Sequence, residues 1–197
     1  MHVLEQQLRF LFELDRLKAV YRQSMVASDN YRYENSAEHS WHIALLAQVL
    51  QEYAEQVIDI NRVVNMLLIH DIVEIDAGDT FAFSQRYHSQ EQADQEALAA
   101  HRIFGLLPSK QSEYMQQLWF EFEAAETADA RFAKAMDRLL PFMQNMAVGG
   151  GSWCKYQVTK TQVIKRNADL QEIAPKLWAY FCQQLEIAVA KGWLLDE

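Results

Sequence analysis

The chain has 197 residues, with 18 Lys+Arg against 27 Asp+Glu for a net charge of −9, and is 50% hydrophobic and 23% charged. This is the composition of a globular protein long enough for one domain with a core of its own. The acidic balance argues against a protein that grips a nucleic-acid polymer or an acidic lipid surface by charge, so an anionic substrate would need a metal ion or a few placed Arg and Lys.

Cys154 and Cys182 are the only cysteines and make no CxxC pair. Both read as small buried hydrophobes in a reducing compartment. The start, Met1-His2-Val3-Leu4-Glu5, has an acid where a signal peptide is basic and then apolar. The most apolar stretch, 63–69, contains Asn65 and is too short to span a bilayer. These features predict a cytoplasmic protein with no membrane partner.

Six Gly and three Pro punctuate the chain, without a linker-like run or an internal repeat. The periodicity is helical nearly throughout. An opening segment places Leu4, Leu8, Leu11 and Phe12 on one side. Asn35-Ser36-Ala37-Glu38 has the capping-box pattern and starts a second helix through Ile43, Leu46, Val49 and Leu50. A third begins after Asp59 and is apolar on nearly every side, so it reads as a central helix, ending near Ala77-Gly78. A polar and aromatic loop over 80–88 leads to a fourth helix capped by Ser89 and ending at Gly105. Further helices are predicted over about 110–124, 128–147 and 169–191, with Gly149-Gly150-Gly151 between the last two. No alternating run is long enough for a strand. The predicted fold class is all-α, in a single compact domain.

His70 and Asp71 are adjacent inside the most buried predicted helix. An ionised carboxylate among Val, Leu and Ile is costly unless a cation or strong hydrogen bonds compensate it. Glu74 projects from the same side one turn on, and Asp76 and Asp79 follow. Such a run of acids repels itself without a counter-cation. His39 lies on the inward stripe of the second helix, and Asp137 lies in an apolar helix between Met136 and Leu139. His39, His70, Asp71 and Asp137 therefore form a cage for one divalent ion. Nitrogen and carboxylate donors without thiolate suit Mn, Co, Fe, Ni, Zn or Mg. His42, three residues after His39, is set aside because no second acid lies near it in the chain.

The pattern His39 … His70-Asp71 … Asp137 resembles the H…HD…D signature of HD-domain metal-dependent phosphohydrolases. Arg32-Tyr33-Glu34-Asn35-Ser36-Ala37-Glu38-His39-Ser40-Trp41, His70-Asp71-Ile72-Val73-Glu74-Ile75, Gly78-Asp79 and Leu14-Asp15-Arg16-Leu17-Lys18 with Arg22 resemble the branch containing bacterial 5′-deoxynucleotidases. The resemblance covers about 5–145, with a helical C-terminal extension over about 160–192. It implies that His39, His70, Asp71 and Asp137 hold the metal, that Arg22 holds the phosphate, and that Glu74 and Asp79 serve the attacking water and the leaving group. Where the enterobacterial enzymes carry Trp after the Arg, a residue bearing on sugar recognition, this chain has Gln23. A preference for deoxyribose is therefore not implied.

Elementary chemistry asks for the same parts. A metal lowers the pKa of bound water, the planar fork of an Arg fits a phosphoryl group, and a carboxyl group carries the proton of the leaving alkoxide. The implied activity is removal of the 5′-phosphate from a nucleoside monophosphate. One alternative substrate is a nucleoside di- or triphosphate or another small phosphate ester; another alternative is an inactive HD-type binding module, which loss of a ligand or of Glu74 would have favoured. Three secondary features complete the reading. The acid-free stretch 138–168, with Arg138, Lys155, Lys160, Lys165 and Arg166, reads as a solvated face. Tyr87 and His88 stand where a lid over the base would. Trp119, Trp178 and Trp193 read as core or interface anchors, and apolar faces on several helices predict a homodimer.

Overall fold

The computed structural model describes residues 2–84 and 89–196. Helix α1 (Val3–Glu13) runs through a short 3-10 segment into a hairpin of β1 (Tyr21–Val26) and β2 (Arg32–Asn35), followed by α2 (Ser36–Leu50) and α3 (Ile60–Ile69). A 3-10 turn (His70–Val73) connects α3 to the single-turn α4 (Glu74–Ala77). Then come α5 (Gln90–Phe104), α6 (Ser109–Ala124), α7 (Ala128–Ala147), α8 (Gly151–Tyr156), α9 (Lys160–Asn167), α10 (Leu170–Ile173) and α11 (Pro175–Ala190).

The helices start where the chain supplies acceptors for their free N–H groups. Asn35 accepts from Glu38 N while Glu38 accepts from Asn35 N, closing the capping box at the head of α2. The side chains of Asp59, Ser89 and Thr127 accept from first-turn N–H groups of α3, α5 and α7, without the reciprocal bond. α3 packs between α2, α6 and α7, which explains its apolar circumference. Phe104, Phe122, Phe132 and Phe181 are the largest fully buried side chains of a core that runs from Phe10 to Leu194. α7 is the axis of the molecule, since α2, α3, α6, α8, α9 and α10 all pack on it.

The all-α reading holds, with four local departures. First, β1 and β2 pair antiparallel with an irregularity between Tyr21 and Met25. That irregularity erases the alternation of period two by which a strand is recognised. Second, the row Leu4, Leu8, Leu11 and Phe12 points to solvent, and Phe10 is the buried residue of α1. Third, the helix expected over 169–191 is broken at Ala174 (φ −151°, ψ 76°), because Pro175 keeps its predecessor out of the helical region. Fourth, Cys154 is exposed and Cys182 half-buried, so neither is the buried hydrophobe expected.

Gly150 is required where the chain turns into α8. Its φ is +103°, and a Cβ there would lie 2.4 Å from Cys154 Sγ. Much of the basic stretch is occupied by contacts within the chain: Arg138 donates to Arg166 O and Asp169, and Lys160 pairs with Glu186. Trp119 is buried, while Trp178 and Trp193 are partly buried against the core. Among the described residues, no helix is long and apolar enough to cross a membrane.

Candidate metal centre

The predicted third helix does not run straight through His70. The His70 ring donates from Nδ1 to Leu67 O at 2.8 Å, and Trp119 Nε1 donates to His70 O at 3.0 Å. Both bonds draw on carbonyls of the helical ladder, and the chain tightens to a 3-10 turn there. The backbone bond also fixes the tautomer of His70. With the proton on Nδ1, Nε2 presents its lone pair to the interior.

Three elements bring the other donors to that lone pair. His39 comes from the first turn of α2 and is fully buried. Its Nε2 lies 2.9 Å from Asp137 Oδ1, which is 3.6 Å from His70 Nε2. Asp71 Oδ1 lies 2.8 Å from His70 Nε2. Pro141 stands one turn after Asp137 in α7 and removes the ladder bond to its carbonyl. Donor atoms of His39, His70 and Asp137 all fall within 4.8 Å of one another and can hold a metal ion. Asp71 reaches the same group through His70.

The donor set fits a divalent cation on an observation of its own. His70 Nε2 is buried and makes no hydrogen bond of acceptable geometry, although two carboxylates surround it. A nitrogen lone pair facing carboxylate oxygens at about 3 Å is repulsive unless a proton or a cation lies between them. Separations near 3 Å are also those kept by donors bound at about 2.1 Å to one shared ion. In the metal-free site a proton takes that place. Burial works against the charged imidazole, but Asp71 and Asp137 overrule it and hold the His70 pKa up at about 10. Burial likewise opposes the charge on the two aspartates. Against it, His70 and Arg22 bring Asp71 down to about 2, and the hydrogen bond from His39 with the nearby His70 ring holds Asp137 well below the usual carboxylate range.

A second tier of groups surrounds this cluster. Arg22 points inward from β1, with Nη1 2.6 Å from Asp71 Oδ2, 3.7 Å from Asp79 Oδ1 and 3.9 Å from Glu74 Oε1. Glu74 accepts from Ser36 Oγ at 2.6 Å. Burial first, and Asp71 second, push the Glu74 carboxyl well above its usual range. Burial raises Asp79 too, while Arg22 pulls it down. Asp79 returns to the site because Gly78 takes φ +75°, a turn that a side chain would strain. These groups line a cleft that also meets Gln23, Phe81, Phe83, Gln92 and Arg166.

The seven residues expected at the site, Arg22, His39, His70, Asp71, Glu74, Asp79 and Asp137, thus converge. His42 is exposed and takes no part. Asp76, expected among the mutually repelling acids, turns away and pairs with Arg102 and Arg16. Gln23 accepts from Lys155 Nζ at 3.0 Å and from the Tyr156 hydroxyl at 2.6 Å, tying β1 to α8 at the mouth of the cleft. The lid positions Tyr87 and His88 lie outside the described residues. Two groups at the site were not singled out by sequence reasoning: Ser36, beneath Glu74, and Glu34, beneath His39. Both lie in the capping segment, where helix-start chemistry masks any other role.

Residues 14–178 match the family model described as HD domain. The chain belongs to the HD domain family. This HD domain protein is 46% identical to a protein from Magnetospirillum magnetotacticum whose crystal structure is described as a predicted metal-dependent phosphohydrolase. The two superpose with a TM-score of 0.92, covering 98% of this chain and 96% of the other. The human protein named 5′-deoxynucleotidase HDDC2 (Homo sapiens) is 29% identical over 143 residues, 73% of this chain and 68% of that protein. A protein of Erwinia tasmaniensis named 5′-deoxynucleotidase is 27% identical over 172 residues, 82% of this chain and 86% of its own length.

Proposed function

We propose that this HD domain protein is a metal-dependent phosphomonoesterase that removes the 5′-phosphate from (deoxy)nucleoside monophosphates. One divalent ion, held by His39, His70, Asp71 and Asp137, is its cofactor. The observation that carries the reading is the buried, bond-less Nε2 of His70 facing two carboxylates beside Arg22. The ion, when bound, supplies acidified water and polarises the phosphoryl oxygens.

The chain's own residues supply the remainder. Arg22 sits at the junction of Asp71, Glu74 and Asp79, where its guanidinium can exchange a carboxylate contact for a phosphoryl oxygen. Glu74 keeps its proton well above the usual range and donates it to the leaving 5′-oxygen. Asp79, less perturbed, orients the attacking water and accepts its proton. The cleft past Phe81 and Phe83 has room for the nucleoside, with Gln23 at its mouth.

The test is a phosphate-release assay over the common ribo- and deoxyribonucleoside monophosphates. Protein stripped by chelator is compared with protein reloaded in turn with Mn, Co, Fe, Ni, Zn and Mg. Phosphate release that vanishes on stripping and returns with at least one metal is expected. Full activity in the stripped protein overturns the mechanism, and pyrophosphate release from triphosphates alone would reassign the substrate. In the same assay Arg22→Ala should raise KM by about tenfold or more, with Arg22→Lys in between because Lys keeps charge without the fork. Wild-type kinetics in both variants would remove Arg22 from the phosphate site.

The active species in this reading is a cytoplasmic homodimer. The outward apolar row Leu4, Leu8, Leu11 and Phe12 and the two free thiols support it. Sedimentation of wild type against Leu8→Lys would test the association: a lighter species is expected for the variant.

A further inference from the structure

Glu34 is a buried acid that pairs with no Arg or Lys among the described residues. It is 2% exposed, at the end of β2, one residue before the cap of α2. Gln144 of α7 donates from Nε2 to Glu34 Oε1 at 2.7 Å. The other oxygen, Oε2, faces His39 Nδ1 at 3.3 Å. Both of these atoms are buried, and neither has any hydrogen-bond partner. A buried carboxylate oxygen and a buried ring nitrogen each left unsatisfied are costly. The two atoms face each other at 3.3 Å, and a small turn of the ring that brings Nδ1–H onto Oε2 would satisfy both at once.

Such a bond would determine what His39 does at its opposite edge. There Nε2 is hydrogen-bonded to Asp137 Oδ1 at 2.9 Å and donates to it. An ion taking that place displaces this proton, and a proton kept on Nδ1 by Glu34 leaves the Nε2 lone pair for the ion. His70 receives the equivalent instruction from the carbonyl of Leu67. The two histidines are therefore set by different devices, one by backbone and one by a carboxylate that Gln144 holds in place. A carboxylate raises the basicity of the imidazole it binds more than a neutral carbonyl does.

We propose that Glu34 is a positioning residue that fixes the tautomer and ring orientation of His39 for metal binding, with Gln144 as its clamp. This rests on the reading of His39 as a metal ligand. Glu34 touches neither the ion nor the substrate, and acts through His39.

The experiment measures metal binding without substrate. Co2+ is titrated into chelator-stripped wild type, Glu34→Gln, Glu34→Leu and Gln144→Leu, following heat and visible absorption, with thermal unfolding of each stripped protein alongside. Glu34→Gln leaves a neutral acceptor and should bind about tenfold more weakly; Glu34→Leu leaves none and should bind about 100-fold more weakly. Both should shift the Co2+ absorption band. Gln144→Leu, which keeps the carboxylate but frees it, should fall between wild type and Glu34→Gln, and it serves where Glu34→Leu does not fold. A merely structural role predicts lower unfolding temperatures with wild-type affinity and an unchanged band in the folded protein, which overturns the proposal. Wild type that binds no Co2+ overturns the metal reading itself, and so separates the two failures.

Discussion

Asp137→Ala should lower kcat/KM on a nucleoside monophosphate by at least about 1,000-fold, a loss of about 4 kcal/mol of transition-state stabilisation. Among the described residues Asp137 is the one carboxylate that faces both histidines, at 2.9 Å from His39 Nε2 and 3.6 Å from His70 Nε2. Without it the two rings, 5.6 Å apart, share no anionic donor, and Asp71 remains on the His70 side only. Truncation also strips the metal-free cluster of a charge partner, which lowers stability by up to a few kcal/mol. Asp137→Asn separates these effects. It keeps the volume and one oxygen but not the charge, so turnover should fall nearly as far while thermal unfolding changes less. Asp71→Ala should match the turnover loss and add weaker phosphate binding, since Arg22 rests on Asp71. Steady-state phosphate release checks all three variants. An Asp137→Asn protein that keeps more than a tenth of wild-type kcat/KM would remove Asp137 from the ligand set.

The candidate donors are legible in the sequence because burying charge in an apolar helix is expensive, and such expense shows in the local pattern. Asp71 inside the most apolar segment and Asp137 between Met136 and Leu139 are anomalies of that kind. The helix starts were legible for a related reason, as a cap and its N–H groups lie within three residues. What escaped depends on partners far away in sequence. The hairpin that carries Arg22 is held by pairing with an irregular register, and its short strands show no alternation. The outward row of α1 obeys helical periodicity, but periodicity gives a stripe and not the direction it faces. Asp76 sits among the site acids in sequence and leaves them only because Arg102 and Arg16 wait on the other side. Glu34 looked like part of a helix start, and only Gln144, 110 positions away, and His39 reveal its other work.

Metal binding should strengthen about tenfold per pH unit between pH 6.5 and 8.5, while the stripped protein loses stability over the same range. Both follow from one proton. In the stripped protein Asp71 and Asp137 hold the His70 pKa at about 10 against its ordinary value of 6.5. A folded-state value above the unfolded one stabilises the protein fully below pH 6.5, and that contribution is lost as pH rises through about 10. Asp71 acts at the other end: lowered to about 2 from 3.8, it contributes above pH 3.8 and fails as pH falls through about 2. The ion needs the same Nε2 lone pair that the proton occupies, so at neutral pH each ion bound releases about one proton. Since ligand stabilisation grows as RT ln(1 + [L]/Kd), the metal-induced rise in unfolding temperature must increase with pH while the stripped baseline falls. Thermal scans with and without Mn2+ at pH 6.5, 7.5 and 8.5 give both slopes, and calorimetry in buffers of different ionisation enthalpy counts the proton. A metal-induced shift that is flat or shrinks with pH would mean that the ion does not displace the proton of His70. The acid cluster would then be neutralised by Arg22 and His70 alone, and its charge would call for no cation at this site.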